Sequence, residues 1–264
     1  MKESGSDTSN RGIIDILKDI HDQHKWAIPA GAGAVVIVLA VIIAVLPSTP
    51  SCTPRERSKR FDVLQDELES LPLEYPSLDG EIWNVIAGAS YGHVNNTREP
   101  VRPVVLFLAG EQDKVNASDV ALDVADMYAE VYTPHRADSD ITYVVGTEFE
   151  GKSPDKVKAA MDRIIANGLG GCSNVVLITD IDKIPACSAI LFHAYCDNDN
   201  APFKDAVFIF TMTLDESATG AWGKDEAIVE RQLQKIWSEC PEEIPEDKMV
   251  AMFSRVTNNA RILK

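Results

Sequence analysis

Val175 to Asp182 reads VVLITDID: four apolar residues, a threonine, and then two carboxylates separated by an isoleucine. An apolar run without a polar face cannot lie on a protein surface as a half-covered strand, so it predicts a strand buried on both sides, as in a parallel sheet. The same kind of run recurs at Val101 to Leu108 (VRPVVLFL), Ile141 to Val145 (ITYVV) and Val207 to Met212. Four such strands, separated by amphipathic stretches, predict an α/β fold with a mostly parallel sheet flanked by helices.

The intervening stretches have helical period. After the first strand, Val120, Val124, Met127, Tyr128 and Val131 fall on one face. After the second, Ser153 is placed to cap a helix that has Pro154 at its first position, Val157, Met161, Ile164 and Ile165 facing inward and Gly168 as its stop. Ile190 to Tyr195 reads equally as helix or strand, and Val229, Leu233, Ile236 and Trp237 form another helical face. Phe61, Leu64, Leu68 and Leu71 recur at helical spacing up to Pro72. Tyr195 and Trp237 are expected in the core.

The 264 residues carry a formal charge of -16, and residues 1–60 hold 8 basic against 6 acidic side chains, so the excess acid lies beyond residue 60. Such a domain repels a phosphate backbone, which argues against nucleic acid as a partner. Trp26 to Leu46 is 21 residues without a charge, about 31 Å as a helix and enough to cross a bilayer core. A cleaved leader has a shorter apolar core and a shorter start than the 25 mixed residues found here. The expected organisation is a tail at 1–25, a transmembrane helix at 26–46, a Pro/Ser/Thr-rich stem at 47–60 and a globular domain at 61–264. Basic residues on both flanks leave the orientation open. Sequons at Asn95 and Asn116 favour a luminal position for the C-terminal part. Cys172, Cys187, Cys196 and Cys240 show no zinc spacing and read either as disulfides or as buried thiols, with Cys52 left over.

After the first strand a nucleotide-binding sheet requires a glycine-rich loop whose amides cradle phosphate. Here Ala109-Gly110-Glu111-Gln112-Asp113-Lys114 offers one glycine and two repelling acids. The carboxylates ending VVLITDID match the strand that holds nucleotide-bound magnesium in ATPases, and they equally match a strand end solvated by two acids. No GxSxG elbow is present, and His193 stands apart from any nucleophile motif. Near the C-terminus, Pro245, Glu246 and Asp247 suit a helix start, with Met249, Met252, Phe253 and Val256 on one face and Arg255 pointing away from it.

Two passages resemble the luminal domain of the torsin-interacting proteins: Ser188 to Met212, with its Tyr195-Cys196-Asp197 and Phe203-Lys204-Asp205 elements, and Asp247 to Val256. The resemblance extends loosely from about residue 100 to 264. It implies an AAA+-like fold that has lost nucleotide binding, needs no cofactor and docks beside the nucleotide face of an ATP-bound torsin as a hetero-oligomer. It also implies residence in the endoplasmic reticulum membrane and nuclear envelope. Arg255, in the Ser254-Arg255 element, falls on the arginine finger supplied to the torsin, with Phe253 and Ser254 beside it at the interface. Asp182 falls on an acidic residue that holds the torsin, here Asp in place of Glu.

A cysteine pair that members can carry, one in the helix after the first strand and one close to the C-terminus, is absent from both positions. From another class, a membrane anchor, a stem and Asp180-Ile181-Asp182 also fit a luminal glycosyltransferase that holds a metal and a nucleotide sugar.

Overall fold

A computed structural model describes residues 54–95, 101–111, 114–133, 141–215, 223–237 and 244–264. All of them fall in one compact unit, Cys52–Lys264. Five strands, β1 (Val104–Glu111), β2 (Ile141–Val145), β3 (Val175–Thr179), β4 (Val207–Leu214) and β5 (Ala260–Leu263), form a sheet in the order β2-β3-β4-β1-β5. Every pairing is parallel. Parallel neighbours require crossover connections, and the helices α1 (Arg57–Glu74), α2 (Gly80–Val94), α3 (Ala117–Tyr132), α4 (Pro154–Leu169), α5 (Ala186–Ala189), α6 (Leu191–Tyr195), α7 (Asp225–Ile236) and α8 (Glu246–Val256) supply the cover.

Alternate residues of each strand enter opposite cores. Val104, Leu106, Leu108, Val175, Leu177, Val207 and Ile209 pack with α1, α2 and α3. Val105, Phe107, Ala109, Val176, Ile178, Phe208 and Phe210 pack with the other helices, α4 to α8. The continuous apolar runs are explained: with helices on both faces, the middle strands β1, β3 and β4 are buried nearly throughout, Thr213 near the end of β4 being exposed.

β2 and β3 have the bounds expected from sequence, whereas β1 starts three residues later than its apolar run because Arg102-Pro103 interrupts it, and it continues through Gly110 and Glu111 in register with β4. Those two residues are therefore strand and not loop. Gly168 does not stop α4. The helix runs to Leu169, and Gly170 caps it by donating its N–H to the Ala166 carbonyl. Gly168 is needed for close approach to β2, since a Cβ there would meet Thr142 Oγ1 at 1.8 Å. Ile164, expected inward, is exposed, and Val157, Met161 and Ile165 carry the buried face.

Pro72 lies inside the last turn of α1, and that helix already begins at Arg57, within the stretch read as stem. Arg55, just before it, donates from Nε to the Glu130 carbonyl at 3.0 Å and pairs with the Glu130 carboxylate. Ile190 to Tyr195 resolves as helix, and α2 and β5 are elements that the apolar periodicity did not single out. Residues 26–46 lie outside the described residues, and no helix among the described residues is long and apolar enough to cross a membrane.

Candidate functional site

In an open parallel sheet a ligand crevice forms where adjacent strands send their connections to opposite faces. Here that point is at the C-terminal ends of β1 and β4, since β1 leads to α3 on one face and β4 to α7 on the other. The crevice is filled by the chain itself. A Cβ on Gly110 would meet the Val115 carbonyl at 2.9 Å, so the loop folds back directly over the strand end. Glu111 is buried with Lys114 paired to its carboxylate, which puts a negative group where a phosphate would have to sit. Ser118 Oγ lies 3.1 Å from the buried Thr211 Oγ1, which also accepts the Asp180 N–H at 3.3 Å. Asn116 caps α3 by accepting the Ser118 N–H, and its own side chain is exposed, as is that of Asn95 at the end of α2.

β3 is followed by Asp180, the one non-glycine residue with positive φ among the described residues (φ 50°). A left-handed residue turns the chain sharply, so Asp182 lies in a short helical turn, Ile181–Lys183, instead of continuing the strand. Burial, and then the neighbouring Asp182, raise the Asp180 carboxyl above its ordinary range, partly offset by Lys183. Lys183 Nζ pairs with Asp182 Oδ2 at 3.3 Å, while Asp182 Oδ1 is buried with no hydrogen-bond partner among the described residues. Asp182 lines a groove of about 460 Å³ together with Lys152, Pro185 and Trp237.

Arg255 occupies a different place. α8 docks through Met252, Phe253 and Val256, all buried, and Arg255 is off that face as expected. Its guanidinium, however, is held, and the side chain as a whole is only about a fifth exposed. Nη2 lies 2.6 Å from Asp197 Oδ2, and Nη1 donates to the His193 carbonyl at 2.8 Å. Burial, and then the Arg255 charge, push the His193 ring below its ordinary pKa. Asp197 is itself fixed, with Oδ1 accepting the N–H of Asp199 at 2.8 Å and of Asn200 at 2.7 Å. The bond from Asn200 leads the effects that hold this carboxyl below its ordinary range. The contribution of the Asp197 contacts is therefore complete above the ordinary carboxylate pKa of about 3.9, and is lost only as pH falls through the lower native value.

Arg255 lines a cleft of about 740 Å³ with Ser254, Asn259, Arg102 and Arg261, beside the start of β1. The cleft is thus at the opposite end of the parallel strands from Asp182. Trp237 connects the two regions: its Nε1 donates to the Ile184 carbonyl at 3.1 Å, and its ring stacks on Phe253 with centroids 6.0 Å apart. Phe253 is accordingly a buried anchor for α8, and Ser254 next to it is exposed. Cys172 and Cys187 are disulfide-bonded, whereas Cys196 is a buried free thiol raised by that burial. Cys52 and Cys240 lie outside the described residues.

The sequence pointed to Asp182 and Arg255 separately. What it missed is Asp197, which joins the two passages that carry the family resemblance and whose only sequence signal is its place in the Tyr195-Cys196-Asp197 element.

Fold and site together define a class: a parallel α/β domain with helices on both faces of the sheet, consistent with an AAA+-like fold. Residues 49–257 match the profile described as lamina-associated polypeptide 1, AAA+ activator domain, and the chain belongs to that family. It is 26% identical over 168 residues to Torsin-1A-interacting protein 1 of Homo sapiens, a match covering 64% of this chain and 28% of that protein. To the Torsin-1A-interacting protein 1 of Rattus norvegicus it is 26% identical over 169 residues, covering 64% and 28%. To that of Bos taurus it is 24% identical over 167 residues, covering 63% and 27%. The chain thus spans little more than a quarter of the length of these relatives.

Proposed function

We propose that this chain is a membrane-anchored luminal activator of a torsin-type AAA+ ATPase, which it binds in the ATP-bound state as a hetero-oligomer. Residues 26–46 anchor it in the endoplasmic reticulum membrane and nuclear envelope. The domain beyond the stem is luminal, where the exposed Asn95 and Asn116 are glycan acceptors. Its role is regulatory: it hydrolyses no nucleotide of its own and places Arg255 against the γ-phosphate bound by the partner.

The observation that carries this reading is the state of the Arg255 guanidinium. It is fixed through two of its five donors, while the nucleotide position of the same chain holds the buried Glu111. A planar cation fixed in advance is suited to stabilising the charge that develops in phosphoryl transfer, worth about 10³ to 10⁵ in rate where it has been studied in other ATPase-type systems. Support for Asp182 as a docking residue comes from its buried Oδ1, which has no donor among the described residues and would gain one from a partner cation or amide. Phe253 contributes by seating α8, and Ser254 by its exposure next to the finger.

The test is the ATPase rate of the torsin as a function of activator concentration. Arg255→Ala and Arg255→Lys are expected to fold, to bind the ATP-loaded partner and to lose most of the stimulated hydrolysis, because a Lys ammonium does not reproduce the fork. Wild-type stimulation by Arg255→Ala at saturation excludes the finger mechanism.

A further inference from the structure

The two passages that carry the family resemblance pack against each other through α6 and α8 and are joined by an ion pair, which is built with more constraint than a surface contact requires. Asp197 follows α6, and its carboxylate divides its two oxygens. Oδ1 is occupied by the backbone N–H groups of Asp199 and Asn200, and only Oδ2 is left for Arg255 Nη2 at 2.6 Å. A carboxylate bound in this way cannot rotate without giving up two hydrogen bonds to its own loop. On the other side, Arg255 Nη1 is tied to the His193 carbonyl at 2.8 Å, at the end of the same helix. Two points of attachment on one edge of a planar guanidinium fix its plane as well as its position. Three N–H donors remain for a ligand. Side-chain exposures of 21% for Arg255 and 13% for Asp197 keep the pair sheltered and leave part of the guanidinium accessible.

We infer that Asp197 is a positioning residue for the arginine finger, holding the Arg255 guanidinium in the orientation in which its unused N–H groups meet the phosphate of the partner ATPase. The inference rests on the function proposed above, and adds to it the residue through which the finger is aimed. An arginine side chain loses rotamer freedom when it is ordered. Here that ordering is complete before the partner arrives, so Asp197 acts on the transition state rather than on docking.

Asp197→Asn separates the two roles of this side chain. The amide oxygen still accepts the Asp199 and Asn200 N–H groups and keeps the loop, while the amide NH₂ presents donors to the guanidinium in place of Oδ2. The full chain, its Asp197→Asn and Arg255→Ala variants and the double variant are titrated into the ATP-loaded torsin, recording the maximal stimulated rate and the half-saturating concentration. Thermal melting of each variant is recorded in parallel.

Misplacing a reacting group by about 1 Å costs up to about a hundredfold. Asp197→Asn is therefore expected to lower the maximal rate by roughly ten- to a hundredfold at an unchanged half-saturating concentration. Because Asp197 acts only through Arg255, the double variant should be no slower than Arg255→Ala alone. A wild-type maximal rate for Asp197→Asn alongside an inactive Arg255→Ala overturns the positioning role and leaves the finger standing. A loss that appears in half-saturation or melting temperature, or that adds to Arg255→Ala in the double variant, makes Asp197 structural and also overturns it. Full activity of Arg255→Ala removes the finger and this inference together.

Discussion

Gly146 follows β2 at the point where the chain crosses the end of β3, and it sets how the Asp180 to Asp182 turn is held. A Cβ built there would lie 1.9 Å from the Asp180 carbonyl oxygen and 2.7 Å from both the Asp180 carbonyl carbon and the Thr179 oxygen. An ordinary carbon–oxygen contact needs about 3.3 Å, so Gly146→Ala must separate two backbones by about 1.4 Å. No side chain can rotate to absorb this, since every atom in the way is main chain. Overpacking costs about 1–3 kcal/mol, and with no soft partner the upper end applies. At about 2–4 °C per kcal/mol for a domain of this size, the melting temperature should fall by about 6–12 °C. Gly88, in α2, is the matched control: a Cβ there has nothing within 4 Å, and Gly88→Ala should gain about 0.5–1 kcal/mol from helix propensity. Circular dichroism at 222 nm through a thermal ramp measures both. Because the displaced turn carries Asp182 and is remote from the Arg255 cleft, Gly146→Ala should also weaken partner binding while sparing the rate at saturation. A Gly146→Ala melting temperature within about 2 °C of wild type would refute the reasoning.

Asp182→Ala should raise the half-saturating activator concentration in the torsin ATPase assay, with the maximal rate recovered at excess. Since the Lys183 pair it removes is partly exposed, the melting temperature should move by less than about 4 °C. Asn116→Ala removes the cap of α3 and should cost about 1 kcal/mol in urea unfolding, independent of any glycan; an unchanged midpoint in unglycosylated protein counts against the cap. Cys196 should resist iodoacetamide at pH 8 in the native protein and react only after denaturation, because burial raises its thiol; mass spectrometry of the native adduct decides this. Reduction of the bonds at Cys172 and Cys187 should lower stability by about 2–5 kcal/mol, measured as a shift of the urea midpoint with dithiothreitol.

The elements readable in the sequence are those whose burial is complete and continuous. β3 is a Val/Leu/Ile run buried on both faces, and α3 carries an uninterrupted apolar stripe from Val120 to Val131. Elements fixed by partners distant in sequence were less legible. β5 is four residues long and includes Arg261, and it exists because Phe107 to Gly110 offers it a ladder. α2 holds three glycines, Gly80, Gly88 and Gly92, and shows no polar stripe to set a period. Gly168 reads as a helix stop from sequence because the alternative, contact with Thr142 of β2, depends on a neighbour 26 residues away. The site divides the same way. Asp182 and Arg255 lie in recognisable passages, but Asp197 sits in the acidic run Asp197-Asn198-Asp199, which without the fold reads as a solvated loop. Its partner is 58 residues further on.

The pairing of β5 with β1 also has a consequence for synthesis. Phe107 and its partner Ala260 are about 150 residues apart, which at 5–20 residues per second is roughly 8 to 30 s of translation. Throughout that interval the outer edge of β1 has unpaired N–H and carbonyl groups beside an apolar strand, the feature by which nascent chains aggregate edge to edge. The β5 edge of β1 therefore remains a chaperone-binding surface until Ala260–Leu263 emerges. A ribosome-stalled chain ending before Ala260 should retain chaperones that a chain extending through Leu263 releases.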